Sequence, residues 1–340
     1  MKILVIGGTG FLGVPLVREL ARMGHSVIVF HRGVTPADLP AEHILGSRKQ
    51  LAELRLRADV VIDLILSSGS QAESLMRVFR GVATRVVVAS SMDVYRACGV
   101  LHGGEEGPLE SLPLTEESTL RTKLQTYPQA QIKMLQRVFG WLDDDYDKIP
   151  VERAVLRDAE LPGTVLRLPM IYGPGDHLRR FRPIVKRIDD SRRAILIEEG
   201  WANWRSPRGY VDNVASALAM AATSEQAAGR IYNLAETPAF SELEWARMIA
   251  KATDWEGEFV VLSKECMPAH LIQPGNSKQD LEADSSRIRR ELGYREPVPE
   301  EEAIRRTVAW ERGNPPAEFD PHRFDYATED AAKPQESFDH

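Results

Sequence analysis

The chain begins Met1-Lys-Ile-Leu-Val-Ile-Gly-Gly-Thr-Gly-Phe-Leu-Gly13. Residues 3–6 are continuously apolar, as a strand buried on both faces should be. Glycines follow at once, and residues 11–23 then space their apolar side chains as an amphipathic helix does. The glycines fit two registers. Gly8, Gly10 and Gly13 read G-x-G-x-x-G, whereas Gly7, Gly10 and Gly13 read G-x-x-G-x-x-G. A strand that turns sharply into a helix needs such residues. The backbone can then approach a pyrophosphate closely, and the helix can pack tightly on the sheet. Free N–H groups at the helix start would bind the phosphates. A second apolar stretch, residues 26–30, completes the strand–loop–helix–strand context in which this pattern reads as a dinucleotide site. The competing reading is a tight turn that binds nothing.

Immediately after the second strand stand His31, Arg32 and Gly33. An NAD site usually carries Asp or Glu here for the ribose 2′-hydroxyl. A guanidinium can instead pair with a 2′-phosphate through charge-assisted bonds, so NADP is favoured over NAD. A solvated loop arginine is the alternative.

With 340 residues and 43% hydrophobic content the chain can bury a sizeable core, as one large or two smaller domains. A net charge of −7 argues against non-specific nucleic-acid binding, and no nucleic-acid partner is expected. Cys98 and Cys266 make no metal or redox spacing and read as reduced structural thiols; no metal site is expected. There is no secretory pattern and no apolar run of membrane length, so a soluble, cytoplasmic protein is expected.

Further along, residues 43–45, 59–66, 85–89 and 163–168 read as strands, and residues 50–57, 71–80, 129–141 and 151–158 as helices. The 59–66 strand is nearly all apolar. Ligands in open α/β sheets bind beyond the carboxyl ends of strands, which places Ser91 and its neighbours in reach of a substrate. Residues 96–145 are weakly patterned, as a lid or binding loop often is. In the C-terminal third, residues 194–197, 230–234 and 259–262 read as strands. Helices are expected within 177–205, from the 208–215 motif through Ala222, over 241–253 with a Ser241/Glu244 capping box, and over 285–292 and 300–312. The tail from Asn314 is polar and expected to be weakly ordered or draped on the surface.

Five motifs in order carry a resemblance. They are the glycine loop Gly7–Gly13, Ser90-Ser-Met-Asp-Val-Tyr95, Arg167-Leu-Pro-Met-Ile-Tyr-Gly-Pro-Gly-Asp176, Arg208-Gly-Tyr-Val-Asp-Asn-Val-Ala215, and Asp284-Ser-Ser-Arg-Ile-Arg-Arg-Glu-Leu-Gly-Tyr294. Over roughly residues 1–313 the chain resembles an extended short-chain dehydrogenase/reductase of the NAD(P)-dependent epimerase/dehydratase family. The resemblance implies an α/β fold: a Rossmann doubly wound parallel sheet with a smaller C-terminal α/β substrate-binding domain. The Rossmann part would take residues 1–176 and 207–235, the substrate domain 177–206 and 236–313, with 314–340 as the tail. It implies cofactor contacts at Gly7, Thr9, Gly10, Phe11, Leu12, Gly13, Arg32, Lys148 and Pro169, a small-molecule substrate, and a homodimer.

The resemblance also implies a chemistry. A Ser or Thr three residues before the Val of the Val-Tyr pair holds the reacting oxygen, which maps to Ser91. A Tyr moves the proton, and a Lys four residues later lowers the Tyr pKa and holds the nicotinamide ribose. Here the sequence departs from the pattern, because no Tyr-x-x-x-Lys occurs in the right region. Lys133 and Lys148 compete; Lys148 has Glu152 four residues on and the better distance to Arg167, and is chosen. The residue four before it is Asp144, while a tyrosine lies two before it, at Tyr146. Two helical residues rotate by about 200°, so the two side chains would diverge on a regular helix. Pro150 suggests that the helix begins near Lys148, leaving Tyr146 in a non-helical lead-in from which it could act. A displaced acid/base at Tyr146 and a site with altered or lost tyrosine chemistry are both open.

Asp93, Tyr95 and Tyr172 are candidate substrate contacts, against local backbone bonding for Asp93 and core packing for the tyrosines. Trp201, Trp204 and Arg205 could wall a substrate or pack a hinge. The run Asp143–Asp145 reads as a solvated loop. The leading function is an NAD(P)-dependent oxidoreductase or epimerase acting on a hydroxyl or carbonyl of a small, sugar-like or nucleotide-sugar substrate. The alternatives are a dinucleotide-binding regulatory or scaffold protein with lost or altered catalysis, and an RNA-handling protein, which the acidic balance opposes.

Overall fold

A computed structural model describes residues 1–35, 38–125, 127–316 and 320–333. The opening apolar run forms β1 (Lys2–Ile6), and α1 (Gly13–Arg22) follows the glycine loop. Next come β2 (Ser26–His31), β3 (Glu42–Leu45), β4 (Val60–Asp63), α2 (Gly69–Phe79) and β5 (Arg85–Ser91). After α3 (Arg96–Leu101), α4 (Gln129–Val138) and α5 (Lys148–Leu156) the chain enters β6 (Gly163–Leu168) and β7 (Met170–Tyr172). The remaining elements are α6 (Arg182–Asp189), β8 (Ala194–Glu198), α7 (Glu199–Ala202), β9 (Arg208–Tyr210), α8 (Val211–Thr223), β10 (Ile231–Asn233), α9 (Glu242–Lys251), β11 (Glu258–Leu262), α10 (Ser286–Leu292), α11 (Glu300–Gly313) and α12 (Tyr326–Ala331).

Seven strands make one parallel sheet in the order β10-β6-β5-β4-β1-β2-β3. The order runs outward in both directions from β1, so β1 and β4 flank the point where the strand sequence reverses, the place at which open α/β sheets form a ligand crevice at their carboxyl ends. Both faces are covered. One apolar core packs α1 and α8 on the sheet through Leu16, Val17, Leu20, Val214 and Leu218; the other packs α2 and α5 through Leu75, Phe79, Val151 and Val155. The central strands are therefore mainly apolar. Two small parallel sheets, β8 with β11 and β7 with β9, lie outside the main one.

Three expectations are revised. Residues 50–57 do not form a helix: a short 3₁₀ turn at Arg48–Gln50 gives way to turns, and Arg55 adopts a φ of +43°, which a regular helix cannot contain. The fourth strand is shorter than residues 59–66, because the chain turns after Asp63, whose side chain caps the backbone N–H of Ile65 at 3.0 Å. The tail carries a real helix: Glu329 of α12 is buried and paired with Arg187 at 2.5 Å, which fastens the tail to α6. The α9 capping box between Ser241 and Glu244 forms as its sequence implies.

Candidate functional site

Each glycine of the first loop has a different task. Gly7 has φ +86°, the left-handed region, so it makes the turn. A Cβ on Gly8 would press on Val29 and Val17 at 2.8 and 3.2 Å, so Gly8 packs the loop on the sheet. A Cβ on Gly13 would lie 2.3 Å from the Gly7 carbonyl oxygen, so Gly13 lets α1 close onto the loop. At Gly10 a Cβ would meet only the Gly7 carbonyl, at 3.6 Å, which leaves the backbone open to an approaching group. The working register is therefore Gly7, Gly10 and Gly13, with Gly8 as a packing residue. Thr9 is buried in this loop, and Phe11 and Leu12 are half-buried at the start of α1. Pro169 sits half-buried between β6 and β7, against Gly209.

At the end of β2, Arg32 is exposed and its guanidinium reaches toward Gly140, where an added Cβ would lie 3.5 Å away. His31 accepts the Gly33 N–H at Nδ1 (3.2 Å), so its Nε2 carries the proton donated to His43 Nδ1 at 2.9 Å. At the end of β4, the buried carboxylate of Asp63 is held bidentately by Arg48, at 2.7 and 2.9 Å.

Lys148 is the first residue of α5, and Asp147 caps the helix by accepting the Ile149 N–H at 2.8 Å. The lysine is 3% exposed; its Nζ donates to the carbonyls of Leu66 (2.6 Å) and Ala89 (3.0 Å), at the carboxyl ends of β4 and β5. Burial pulls its pKa down to about 8, partly opposed by the charges of Asp93 and Asp63. An ammonium has three donors, so one remains for a ligand in the crevice. Lys133, the competing lysine, is exposed and paired with Asp144 at 2.6 Å.

Tyr146 lies in the non-helical lead-in to α5, as Pro150 suggests. Its hydroxyl donates to Asp93 Oδ2 at 2.9 Å, and its ring centre is 5.8 Å from the Lys148 amine. Ser91 ends β5; its hydroxyl accepts the Asp93 N–H at 3.2 Å, which leaves its own hydrogen available to an acceptor. Thus Ser91, Asp93, Tyr146 and Lys148 converge beyond β4 and β5, beside the glycine loop. Asp144, in the position four before Lys148, points to solvent with Lys133 instead.

Tyr95 and Tyr172 are interior residues. The Tyr95 hydroxyl donates to Asn233 (2.5 Å) and accepts from Arg167 (2.9 Å); that of Tyr172 donates to Glu236 (3.1 Å), and its ring stacks on Phe181. Their placement is that of core tyrosines, since hydrogen-bonded rings without exposed surface leave nothing for a substrate to touch. Trp201 and Trp204 also pack together in the core. A buried network of Ser90, Glu152, Arg167 and Tyr95 holds α5 against β5 and β6; Glu152 accepts from Ser90 at 2.5 Å and from Arg167 at 2.7 Å.

The weakly patterned stretch 96–145, expected to be a lid or binding loop, contains a roof whose residues the sequence did not single out. Residues 139–143 cross the mouth of the crevice: Phe139 stacks edge-on with His177, which meets Phe11; Trp141 lies 5.4 Å from the Lys148 amine; and Asp143 accepts from Ser67, Ser68 and Gln71 at 2.7, 3.1 and 2.8 Å. Asp143 is thus an anchor rather than a solvated loop residue. Besides the weak patterning, a cluster of aromatics at Phe139 and Trp141 was the signal available in the sequence. Among the described residues no group of His, Cys, Asp and Glu is placed to hold a metal, and no helix is long and apolar enough to cross a membrane.

Residues 3–124 match the model of the NAD dependent epimerase/dehydratase family. The 2′-dehydrokanamycin reductase of Streptomyces kanamyceticus is 29% identical over 250 residues, 69% of this chain and 62% of that protein. The chain therefore spans less than two thirds of that relative's length. The 2-alkyl-3-oxoalkanoate reductase of Stenotrophomonas maltophilia (strain K279a) is 29% identical over 247 residues, 68% of this chain and 69% of that protein. The solved structure of MoeE5 in complex with UDP-glucuronic acid and NAD superposes with a TM-score of 0.65 at 21% identity, covering 92% of this chain and 99% of that one. That likeness shows the fold. With the glycine loop built as described and the sheet ordered about β1 and β4, the chain has the fold of that structure, and its residues 3–124 resemble the NAD dependent epimerase/dehydratase family.

Proposed function

We propose that the protein is an NAD(P)-dependent oxidoreductase that interconverts a hydroxyl and a carbonyl on a small, sugar-like substrate. The observation that carries this is the convergence of Ser91, Tyr146 and Lys148 at the carboxyl ends of β4 and β5, next to a glycine loop open at Gly10. The activities of the two sequence relatives, both reductases, support this reading.

The residues present fit a dinucleotide. The backbone of the Gly7–Gly13 loop and the start of α1 would take the pyrophosphate, with Thr9, Phe11 and Leu12 beside it. Arg32 would take a 2′-phosphate, which makes NADP(H) the favoured cofactor, and the free donor of Lys148 would take the nicotinamide ribose. Pro169 borders the same end of the crevice. When bound, the cofactor supplies or receives the hydride. Ser91 donates a hydrogen bond to the reacting substrate oxygen and Tyr146 moves its proton. Residues 177–206 and 236–313 form the substrate side, and the protein works as a homodimer, for which light scattering is the check.

Tyr146→Phe tests the reading. With NADPH and a panel of 2′-dehydrokanamycin, a 2-alkyl-3-oxoalkanoate and a UDP-4-ketohexose, the variant loses about a hundredfold or more in turnover while NADPH affinity is unchanged. A Phe variant as active as the wild type would remove Tyr146 from the mechanism. Nucleotide binding without turnover of any hydroxyl or carbonyl substrate would favour a binding protein, the reading that the solvent-facing Asp144 supports.

A further inference from the structure

Asp93 is the group in this site whose surroundings a structural role does not explain. It lies in the 3₁₀ turn Met92–Val94 straight after β5 and is 5% exposed. Oδ2 accepts the Tyr146 hydroxyl, while Oδ1 is buried without a well-aligned hydrogen bond, the Tyr127 hydroxyl being the other phenol donor that faces the carboxyl besides Tyr146. A buried carboxylate oxygen without a well-aligned donor is unfavourable, and in native proteins it often marks a group with work to do. No cation neutralises it directly. Arg121 is the nearest candidate, but its guanidinium is committed to Asp147 at 3.2 Å, to the Lys123 carbonyl at 2.6 Å and to the backbone carbonyl of Asp93 itself at 2.5 Å.

The groups that face the carboxyl come from every neighbouring element. They are Cys98 of α3, Arg121 of the following segment, Tyr127 just before α4, Tyr146 in the lead-in to α5, and Asp147 and Lys148 at the start of α5. Burial holds the Asp93 carboxyl above the usual carboxylate range, with Arg121 the main opposing influence. Burial and then the Asp93 charge push the Tyr146 phenol well up, and Tyr127 likewise. A phenol so placed does not ionise near neutral pH. It can still pass protons if a partner takes one as another arrives.

We infer that Asp93 is the proton store behind Tyr146, so that the two side chains act as a relay in place of the family's ionised tyrosine. In the oxidation direction the substrate O–H bond breaks and its proton goes to the Tyr146 oxygen, while the phenol proton crosses the 2.9 Å bond to Asp93 Oδ2. The substrate C–H bond breaks in the same event, its hydride going to the oxidised nicotinamide dinucleotide. The products are a ketone, a neutral Tyr146 and a protonated Asp93; reduction runs the same transfers backward. Asp93 acts through Tyr146 and need not touch substrate. The inference rests on the proposed role of Tyr146.

The test begins without substrate. The full chain is labelled with 3-fluorotyrosine, and the Tyr146 fluorine resonance is assigned with Tyr146→Phe. In the wild type this resonance inflects as Asp93 ionises, at a pH above the ordinary carboxylate range. In Asp93→Asn that inflection is gone, and the phenol ionises with an acid constant at least tenfold larger. A wild-type resonance flat across the whole range from carboxylate to phenol ionisation overturns the relay, and so does a phenol midpoint unmoved in Asp93→Asn. If Asp93→Asn does not fold, the wild-type titration alone decides. In turnover, Asp93→Asn lowers the oxidation kcat about a hundredfold and abolishes the acid limb of its pH profile, with KM unchanged. Asp93→Glu restores a limb at a shifted midpoint. A profile for Asp93→Asn superimposable on the wild type overturns the inference, whereas full activity in Tyr146→Phe sinks the proposed function itself.

Discussion

Replacing Lys148 by methionine removes a charge that the fold buries at the centre of the crevice, and the pH dependence of the loss can be worked out. In the folded protein the lysine pKa is about 8, from a starting value of 10.5. Below about pH 8 both folded and unfolded chains carry the proton, and the folded state bears the full penalty of a buried ammonium. Between about pH 8 and 10.5 the unfolded chain keeps the proton while the folded chain has lost it. The unfolded state then binds more protons, so stability rises with pH through this window. The full difference is about 3 kcal/mol, most of it gained between roughly pH 7 and pH 10. Methionine cannot titrate. It also leaves the Leu66 and Ala89 carbonyls without the lysine donor, a loss of about 1–3 kcal/mol each that does not depend on pH. The assay is urea unfolding of both proteins across that pH range. The wild type should gain about 2–3 kcal/mol on Lys148→Met from the neutral to the alkaline end. Two parallel stability profiles would show that the lysine is not held in a water-poor site, and the placement of the ribose contact would fall with it.

Other substitutions separate the parts of the account. Glu152→Ala strips the carboxylate from buried Arg167 and should cost about 3–5 kcal/mol in unfolding free energy, measured by denaturant titration, with a shift under 1 kcal/mol contradicting the network described. Gly13→Ala brings a Cβ to 2.3 Å from the Gly7 carbonyl oxygen and should lower the melting temperature as well as abolish nucleotide binding; an unchanged melting temperature would mean that α1 does not close on the loop. Arg32→Ala should weaken NADPH about tenfold to a hundredfold in calorimetry and leave NADH unaffected, and an equal effect on both would remove the 2′-phosphate contact.

Sequence pattern carried far where one physical signal dominated. The apolar run of β1, the glycines after it and the apolar strands β4, β5 and β6 announce a doubly buried parallel sheet, because such strands have no polar face to confuse the period. The pairing of Lys148 with Pro150 located the helix start, since proline is confined to a first turn. Local pattern was silent where long-range contacts decide. Residues 50–57 have helical composition, yet the chain there turns beside the Arg48–Asp63 pair, whose partners are fifteen residues apart. Asp143 looked solvated within an acidic run, and only the fold brings Ser67, Ser68 and Gln71 to it. The Asp93–Tyr146 bond spans 53 positions and no spacing rule points to it. Tyr95 and Tyr172 show the converse limit: a motif position near a strand end does not say which way a ring is turned.

The account stands on the glycine loop being a dinucleotide site, and Gly10 isolates that claim because a methyl there meets no protein atom closer than 3.6 Å. The direct measurement is calorimetric titration of NADPH and NADH into the wild type and Gly10→Ala, with the melting temperature of each recorded. Binding by the wild type, tighter for NADPH, together with its loss in a Gly10→Ala variant of unchanged melting temperature, is the predicted result. Binding of neither nucleotide to a wild type free of carried-over cofactor, or equal binding by Gly10→Ala, would contradict it.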